Sequence, residues 1–366
     1  MPGARGGGMV PAMRVLVTGA TGFAGGAIAR RLLGDGQAVH AYVRDAGRAR
    51  ELAELGAEVF EGTVGDPNAI ARAAERCTHV VHAAGEPSHR ASPEALGWIH
   101  VAGTENVVRA AQHVGVRRLV HLSCADVTLT PKPRVNWNED RVLMGPPVGE
   151  LAKAKRDAEE LVIGMGGAGA AGDFETVALR PAQLWGAGDR SLLPHYCREA
   201  LAAGGLPLCG KGTNLVAITH VENLVGATLR ALEVPEAAGA VYYVVDAELA
   251  LCREFHASLA RALGLPPPKR SGLGFKMEYA LSWTRARLGK AGPWPEDVIR
   301  RAQSTSFDAS RAMQQLEWSP SVRQREGMEA LAAWAESMGG AEGLAEAARP
   351  PADDASVAAQ VEAAGG

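Results

Sequence analysis

From Met13 onwards, short apolar runs rich in β-branched residues alternate with longer Ala-rich stretches of helical character. This alternation is typical of βαβ units built around a parallel sheet. Helices are predicted between the runs, and those at 26–36 and 103–115 close on a glycine, as helix C-termini prefer. The pattern predicts a doubly wound, Rossmann-like α/β fold, with strands at 13–19, 38–44, 57–63, 79–84, 117–123, 175–181 and 240–246.

Loops and prolines become more frequent after about residue 185, most clearly at 265–270. We therefore expect a dinucleotide-binding domain at 13–185 and a smaller substrate-binding part at 186–338, from which one or more strands return to the sheet. The Gly- and Pro-rich residues 1–12 are expected to form a disordered leader. The Ala-, Gly- and Glu-rich residues 339–366 are expected to form a low-complexity tail.

Composition narrows the class of protein. At 366 residues and 47% hydrophobic content the chain can bury a full core. Its net charge of -3 is spread over intermixed cations and anions, which gives no sign of a footprint for nucleic acid or an anionic membrane. No apolar run approaches the ~20 residues of a transmembrane helix. The five cysteines lie far apart, which favours reduced thiols in a cytoplasmic protein and no metal site.

Three glycines follow the first predicted strand and open the next helix: Gly19, Gly22 and Gly25. Residues without Cβ at such a turn let backbone N–H groups and the positive end of the helix reach a diphosphate. In this strand-turn-helix context the motif predicts dinucleotide binding, with a structural glycine turn as the alternative. We also predict cofactor contacts from Thr21, Phe23 and Ala24 in this turn, and from Ala83 and Ala84 at the end of the fourth predicted strand.

Charged residues at or after the ends of the second and third predicted strands bear on how a nucleotide is recognised. Asp66 follows the third strand, where a carboxylate can accept a hydrogen bond from the adenine amino group; a turn-forming Asp before Pro67 is the alternative. The second strand ends on Arg44 and then Asp45. An arginine pairs with the extra phosphate of NADP, whereas an acid binds the ribose diol of NAD. Because Arg44 comes first, we expect NAD(P) with a slight preference for NADP.

Six segments carry a resemblance to a known family: TGATGFAG (18–25), HVVHAAG (79–85), VAGTENVVRAAQHVGVRRLVHLS (101–123), LRPAQLWGAGD (179–189), GKGTNLVAITHVENLVGATLRAL (210–232) and FDASRAMQQLEWSP (307–320). With them the chain resembles the extended short-chain dehydrogenases/reductases, the NAD-dependent epimerase/dehydratase superfamily, from Met13 to Pro320. Residues 103–127 and 210–225 are most similar to the 3β-hydroxysteroid dehydrogenase branch. That branch includes sterol-4α-carboxylate 3-dehydrogenases and bacterial reductases of long β-keto acids.

The resemblance implies a Ser, a Tyr and a Lys that act on a carbonyl or alcohol beside nicotinamide. Ser123 would donate to the substrate oxygen. Lys155 would lie near the ribose hydroxyls and lower the pKa of a phenol one helical turn earlier, at position 151. Leu151 occupies that position and cannot donate or accept a proton. In this family the segment after the sixth strand meets the nicotinamide carboxamide, which implies cofactor contacts from Pro181, Ala182 and Leu184.

A second departure from the family pattern is His100, which stands where the family usually has an asparagine that supports a water in the proton relay. An imidazole titrates near neutrality, so His100 with a water is our first candidate to replace the phenol. A buried structural histidine is the alternative interpretation. The absence of any acid or base ranks next, followed by Glu150, which points about 100° around the helix from position 151.

The resemblance implies an oxidoreductase for the hydroxyl or ketone of a bulky apolar substrate. We favour a sterol-like 3β-hydroxyl, whose oxidation would set up decarboxylation if a carboxylate lies β to the new ketone. A catalytically impaired NAD(P)-binding sensor or scaffold is the first alternative, because two relay positions have changed. A nucleotide-sugar epimerase or dehydratase is the second. The resemblance is compatible with a homodimer.

Two further features have structural and functional interpretations. Residues 276–290 mix apolar and basic side chains at helical spacing. We expect an amphipathic helix that covers the substrate pocket, with contact to a lipid-like substrate or a membrane surface as the alternative. Asn223 is expected to cap a helix or tie a loop.

Overall fold

The computed structural model describes residues 13–86, 91–166, 174–270, 272–288 and 292–347. The strands in these ranges are β1 (Arg14–Thr18), β2 (Ala38–Val43), β3 (Glu58–Glu61), β4 (His79–His82), β5 (Arg118–Leu122), β6 (Arg134–Trp137), β7 (Glu175–Pro181), β8 (Gln183–Trp185), β9 (Pro207–Leu208), β10 (Leu215–Val216), β11 (Ile218–His220), β12 (Val241–Val244), β13 (Ala250–Leu251), β14 (Lys269–Arg270) and β15 (Thr305–Phe307).

Helices precede or follow most of these strands. In chain order they are α1 (Phe23–Gly34), α2 (Arg50–Glu54), α3 (Pro67–Ala74), α4 (Pro93–Leu96), α5 (Gly103–His113), α6 (Glu150–Met165), α7 (Leu193–Ala203), α8 (Val221–Glu233), α9 (Cys252–Leu263), α10 (Phe275–Arg287), α11 (Pro295–Ala302), α12 (Ser310–Gln315), α13 (Gln324–Ser337) and α14 (Gly340–Glu346). Across the described ranges, no helix is both long and apolar enough to span a bilayer.

All seven predicted strands form, and they pair in one sheet in the order β12-β7-β5-β4-β1-β2-β3. Each neighbouring pair is parallel. The predicted Rossmann-like fold is therefore confirmed. The strand order reverses between β1 and β4, where Thr18 is the partner of His82. Ligands of open α/β sheets bind outside the carboxyl ends of the strands at such a switch point, so the residues that follow β1 and β4 lie where a ligand is expected.

The sheet is apolar on both faces because helices cover both. Along β1, Val15 and Val17 pack with α1 and α8, whereas Leu16 between them packs with α3 and α5. All three side chains are fully buried. Alternate side chains of a strand point to opposite faces, which is why the continuous apolar run RVLVT fits a central strand.

A buried arginine ties the sheet to α8. Arg118 is only 1% exposed, and its guanidinium pairs with Glu175 at 2.7 Å. It also donates to the carbonyl oxygens of Ala231 and Val234 at the end of α8, at 2.9 and 2.6 Å. A cation at a helix C-terminus satisfies the last carbonyls and opposes their partial negative charge, so this polar side chain stabilises the packing of α8 on the sheet.

The second part of the chain has a core of its own, formed by α7, α9, α13 and α14 around Trp185, Phe255 and Leu331. The first residues of the expected low-complexity tail, from residue 339, include the helix α14. Ala341 and Leu344, spaced three apart on this helix, are buried against the same core. Residues 348–366 and the expected leader at 1–12 lie outside the described residues.

Candidate functional site

The turn after β1 requires a glycine at position 19. Gly19 has a left-handed φ of +67°, and its N–H donates to the carbonyl of Tyr42 at 3.1 Å. A Cβ at this position would lie 2.8 Å from the carbonyl oxygen of Ala83 and from the nitrogen of Ala84. Any other residue would therefore push the turn away from the loop that follows β4.

The start of α1 is open for an anion. Gly22 is the N-cap of α1 and offers no side-chain cap to the first N–H groups. A Cβ on Gly25 would overlap the carbonyl oxygen of Gly19, so this glycine lets the helix begin directly against the turn. The predicted Thr21, Phe23 and Ala24 lie in the same turn or in the first turn of the helix. This Cβ-free cradle at a helix N-terminus fits a dinucleotide diphosphate.

The two loops at the switch point are also tied by a hydrogen bond. Thr18 ends β1, and its hydroxyl accepts from the backbone N–H of Ala84 at 3.2 Å. The predicted contacts Ala83 and Ala84 are thereby brought against the glycine turn. Both loops thus face the same ligand space at the carboxyl edge of the sheet.

Asp66 forms the turn before Pro67, which was the alternative to an adenine contact. Its Oδ1 accepts from the backbone N–H groups of Asn68 and Ala69, at 3.0 and 2.9 Å, and so caps α3 behind Pro67. Side-chain capping of this kind satisfies N–H groups that lack an intrahelical partner. The cap uses one carboxylate oxygen, and the adenine contact stays a prediction.

Arg44 and Asp45 differ in how they are engaged. Asp45 accepts from the N–H of Gly47 at 2.9 Å and caps the short turn that follows β2. Arg44 is exposed, and in the described ranges its guanidinium forms no ion pair. The arginine is thus available for a phosphate, whereas the carboxylate is held by its own turn.

Lys155 and Ser123 come together at the carboxyl end of β5. The Lys155 ammonium donates to the carbonyl oxygen of Leu122 at 3.0 Å, one residue before Ser123. Ser123 is 3% exposed, and its backbone N–H donates to Leu179 at 2.9 Å. Its hydroxyl has no hydrogen-bond partner among the described residues. A buried hydroxyl without a partner is costly, and a substrate oxygen at this place would satisfy it.

An ion pair fixes α6, and with it Lys155, on the sheet. Glu159 is 3% exposed and binds the guanidinium of Arg180 on β7, with Nε 2.9 Å from one carboxylate oxygen. Arg180 also lies 5.3 Å over the ring of Tyr243. Burial lowers the pKa of Lys155, and the nearby Cys124 and Glu159 oppose that shift without cancelling it. The Glu159–Arg180 ion pair thus anchors α6 on β7, one helical turn after Lys155.

Leu151 belongs to a small apolar cluster. It packs with Ala154 of its own helix and with Leu96 and Ile99 of the segment that leads into α5. The side chain is partly buried. Position 151 therefore presents an apolar surface one helical turn before Lys155.

His100 lies in a π-helical turn, Gly97–Ala102, directly before α5. Such turns are rare and often occur at functional sites. Its Nε2–H donates to the carbonyl oxygen of Glu86 at 3.1 Å, which leaves Nδ1 as the acceptor. Burial, and then the charge of Lys155, lower the pKa of His100 to about 3. The expectation that this imidazole titrates near neutrality is wrong, because the ring is 3% exposed and stays neutral at pH 7.

A family model described as the NAD dependent epimerase/dehydratase family matches residues 15–245. The chain belongs to this family. It is 33% identical over 293 residues to the 2-alkyl-3-oxoalkanoate reductase of Stenotrophomonas maltophilia (strain K279a), which covers 77% of this chain and 84% of the relative. It is 28% identical over 331 residues to the 3 beta-hydroxysteroid dehydrogenase/Delta 5→4-isomerase of Mycobacterium tuberculosis (strain ATCC 25618 / H37Rv), with coverages of 84% and 86%.

A solved structure agrees with the family assignment at the level of the fold. MoeE5 in complex with UDP-glucose and NAD superposes with a TM-score of 0.69 at 23% identity, over 88% of this chain and 99% of that one. The resemblance predicted from the six sequence segments is confirmed by the family model and the sequence relatives.

Two histidines behind this epimerase/dehydratase-family site were missed by sequence analysis. His82 lies between the hydroxyls of Thr18 and Thr104, with ring nitrogens 2.8 and 2.9 Å from them. The ring of His121 lies 5.4 Å from that of His82, and neither of its nitrogens has a partner in the part of the chain that the structure describes. Burial lowers the pKa of His82 to about 3. The signal for both was a histidine inside an apolar strand segment.

The segment that follows β7 is held by backbone and side-chain bonds. The N–H of Ala182 donates to the hydroxyl of Thr219 at 2.9 Å, and Leu184 is the strand partner of that threonine in β11. Asn223 ties a loop as expected: its Oδ1 accepts from the N–H groups of Ser321 and Val322. The predicted nicotinamide contacts at Pro181, Ala182 and Leu184 thus lie on a fixed backbone that continues β7.

Proposed function

We propose that the protein is an NAD(P)-dependent oxidoreductase that interconverts the hydroxyl and ketone of a bulky apolar substrate. One observation carries the proposal. The Lys155 ammonium donates to the carbonyl of Leu122, and the next residue, Ser123, has a buried hydroxyl without a hydrogen-bond partner among the described residues. Hydrogen-bond donors and cations fixed in a dry site stabilise charge that develops on a reacting oxygen. The two named relatives, a reductase and a dehydrogenase, support the same class of reaction.

The dinucleotide is held, in this proposal, by the glycine turn and the N-terminus of α1. Lys155 lies near its ribose, and the fixed backbone at 181–184 faces its nicotinamide. NAD(P), when bound, accepts or supplies the hydride. The exposed Arg44 and the locally capped Asp45 support a preference for NADP.

The proton is the step in which this chain departs from its family. Ser123 would donate to the substrate oxygen and Lys155 would stabilise negative charge on it. Leu151 moves no proton. His100 stays neutral and would only position a water through its Nδ1 acceptor, and that water would carry the proton between the substrate oxygen and bulk solvent. Positioned acid-base catalysis contributes roughly 10² to 10⁴-fold, whereas alignment of reactants contributes about 7–11 kcal/mol. The enzyme would therefore be slow rather than inert.

A sterol-like 3-hydroxyl is our first substrate proposal, and a 2-alkyl-3-oxoalkanoate is the second. The partly buried Leu151, which is packed on a buried apolar cluster, offers an apolar surface that suits the hydrocarbon body of either. If a carboxylate lies β to the new ketone, the electron pair of the breaking C–C bond passes to the carbonyl as CO₂ leaves.

The test uses NADPH that carries deuterium at the 4R or the 4S position. Purified protein is incubated with a panel of ketosteroids and 2-alkyl-3-oxoalkanoates, and the products are analysed by mass spectrometry. We expect label from one of the two faces on the carbinol carbon of at least one substrate. No transfer from either face to any member of the panel would refute the proposal.

The second candidate is an NAD(P)-binding sensor or scaffold without turnover. Leu151 in an apolar cluster and the neutral His100 favour it, because neither supplies an ionisable acid at neutral pH. It predicts tight dinucleotide binding with no label transfer by the wild-type protein. Transfer at a measurable rate by the wild type would exclude it.

A further inference from the structure

Helix α11 contacts two segments that frame the candidate site. Its Arg300 donates from Nε to the carboxylate of Asp126 at 2.7 Å, and Asp126 belongs to a short turn that begins two residues after Ser123. Its Glu296 lies against Gly149, the N-cap of α6, where a Cβ would be 3.0 Å from Oε1. Residues four apart share one side of a helix. The same side of α11 therefore extends from the turn after Ser123 to the start of α6.

The guanidinium of Arg300 keeps one donor group unused. Its Nε donates to Asp126, and its Nη1 lies 3.4 Å from the carboxylate of Asp297. Its Nη2 has no hydrogen-bond partner among the described residues. The side chain is 32% exposed, and Nη2 is not enclosed, so solvent reaches this group. Two acids thus fix an arginine that still has N–H groups for a ligand.

Arg300 and Lys155 both lie close to Cys124, the residue after Ser123. Burial raises the pKa of the Cys124 thiol, whereas the charges of Lys155 and Arg300 oppose that rise. The thiol is therefore within electrostatic reach of both cations, and its side chain is partly accessible. Lys155 forms no ion pair in the described part of the chain and donates to the carbonyl of Leu122. A ligand at Ser123 would thus have two cations near it.

The surroundings of Arg300 favour an anion with a single charge. Asp126 and Asp297 are its ion-pair partners, and the charge of Glu296 also acts on the guanidinium. A phosphate monoester would bring nearly two negative charges beside these three carboxylates. A carboxylate brings one, and its oxygens match the donor geometry of a guanidinium. A ligand without an acid group would leave Nη2 to solvent.

We propose that Arg300 binds a carboxylate of the substrate and thereby selects a 3-oxo or 3-hydroxy acid over a neutral ketone or alcohol. The inference rests on the proposed function, which places the reacting oxygen at Ser123. In such an acid one carbon separates the carboxyl carbon from the reacting carbon. The carboxylate would meet Arg300 and the alkyl groups the apolar surface at Leu151. A sterol meets this requirement only with a carboxylate on the carbon next to the reacting one.

The experiment is isothermal calorimetry with the full-length protein, in the presence and in the absence of NADPH. The ligands are a short-chain 2-alkyl-3-hydroxyalkanoate and its methyl ester, which share the carbinol and differ in the charge of the acid group. Neither is oxidised by NADPH, so binding is measured without turnover. Hydride transfer is tested separately with the deuterated nucleotide.

Three variants are compared with the wild type: Arg300→Gln, Arg300→Lys and the control Arg301→Gln. Arg301 is the next residue of α11 and pairs with Glu199 of α7 at 3.6 Å. The control therefore removes the same charge from the same helix on a different side. Circular dichroism and thermal unfolding establish that each variant is folded. The ratio of the two dissociation constants is compared within each variant, so a general loosening of α11 cancels.

We expect the wild type to bind the acid roughly 10- to 100-fold more tightly than the ester, the range for a hydrogen bond to a charged group. Arg300→Gln should bring the two ligands within about twofold of each other. Arg300→Lys keeps the charge and should retain part of the preference, and Arg301→Gln should retain all of it.

Three results would overturn the inference: no binding of the acid, equal affinity of the wild type for acid and ester, or a preference that Arg300→Gln leaves unchanged. In the last case Arg300 only anchors α11 on the turn after Ser123. Label transfer to neutral ketones alongside any of these results would leave the proposed function intact. A preference for the acid that depends on Arg300, without label transfer to any substrate, would uphold the inference and refute the proposed function.

Discussion

The Nε2–H of His100 donates to the carbonyl oxygen of Glu86 across 3.1 Å, and this bond decides which imidazole nitrogen remains as an acceptor. Because the pKa of His100 is lowered to about 3, its proton on Nε2 is fixed over the physiological range. Turnover should therefore show no inflection from this histidine near pH 6.5, where a free imidazole titrates. The pH profile of kcat, measured with labelled NADPH, checks this.

Two variants of His100 distinguish the effect of its hydrogen bonds from the effect of its side-chain volume. Asparagine retains a donor for the Glu86 carbonyl and an acceptor for water, so His100→Asn should keep kcat within about tenfold of the wild type. Leucine retains neither, and His100→Leu should lower kcat by roughly 10²-fold, the lower end of acid-base effects. Equal losses in the two variants would show that His100 only fills space.

Stability should fall in mild acid. The pKa values of His82 and His100 are about 3 and that of His79 is about 4, chiefly because burial disfavours the imidazolium. Between about pH 6.5 and 5 the unfolded chain binds these protons and the folded chain does not. The free energy of unfolding should then decrease by up to about 1.4 kcal/mol per pH unit for each histidine. Urea unfolding across this window measures the slope, and a flat profile would contradict the buried neutral histidines.

Restoring a phenol should raise activity. A tyrosine at position 151 lies one helical turn before Lys155, whose ammonium would lower the phenol's pKa. We expect Leu151→Tyr to increase kcat by up to about 10² to 10⁴-fold. Leu151→Phe places the same ring in the apolar cluster without the hydroxyl and is the matched control. A similar increase in both variants would assign the effect to packing rather than to proton transfer.

The glycine turn offers a controlled test of cofactor binding. Gly25→Ala should weaken NADPH binding at least tenfold, because the new Cβ overlaps the Gly19 carbonyl oxygen and displaces α1. Gly34→Ala lies in the same helix, where a Cβ meets nothing within 4 Å, and should bind like the wild type. Fluorescence titration of NADPH gives both dissociation constants. Unaltered affinity in Gly25→Ala would place the dinucleotide elsewhere.

Selectivity between the two nucleotides should depend on Arg44. Arg44→Gln removes the cation proposed for the extra phosphate, so the Kd for NADPH should rise about tenfold while that for NADH changes by less than twofold. Arg76 is exposed and precedes β4, so it lies at the amino ends of the strands, whereas Arg44 lies at their carboxyl ends. Arg76→Gln is therefore the control. Parallel loss of both nucleotides in Arg44→Gln would count against a preference for NADP.

The sequence predicted the sheet well because the central strands β1, β4, β5 and β7 are short runs that are buried along most of their length. It did not predict the helix α14, because only Ala341 and Leu344 are buried in this Ala- and Gly-rich stretch and the periodic signal is weak. The sequence also predicted Ser123 and Lys155 as site residues, which the fold brings side by side. It could not give the pKa of His100, because that depends on burial and on Lys155, which is 55 residues away along the chain.

The Glu159–Arg180 pair is a second relationship that sequence patterns do not reveal. The sequence places Glu159 in the predicted helix after Lys155 and Arg180 in the predicted strand at 175–181, but either residue could have been a solvated surface charge. Only the packing of α6 on the sheet buries the carboxylate and makes the arginine its obligatory partner.

Isothermal calorimetry with NAD and NADP, each oxidised and reduced, tests the central claim most directly. The account predicts saturable binding of at least one of the four to a single site per chain, and loss of that binding in Gly25→Ala but not in Gly34→Ala. No detectable heat of association with any of the four would contradict it.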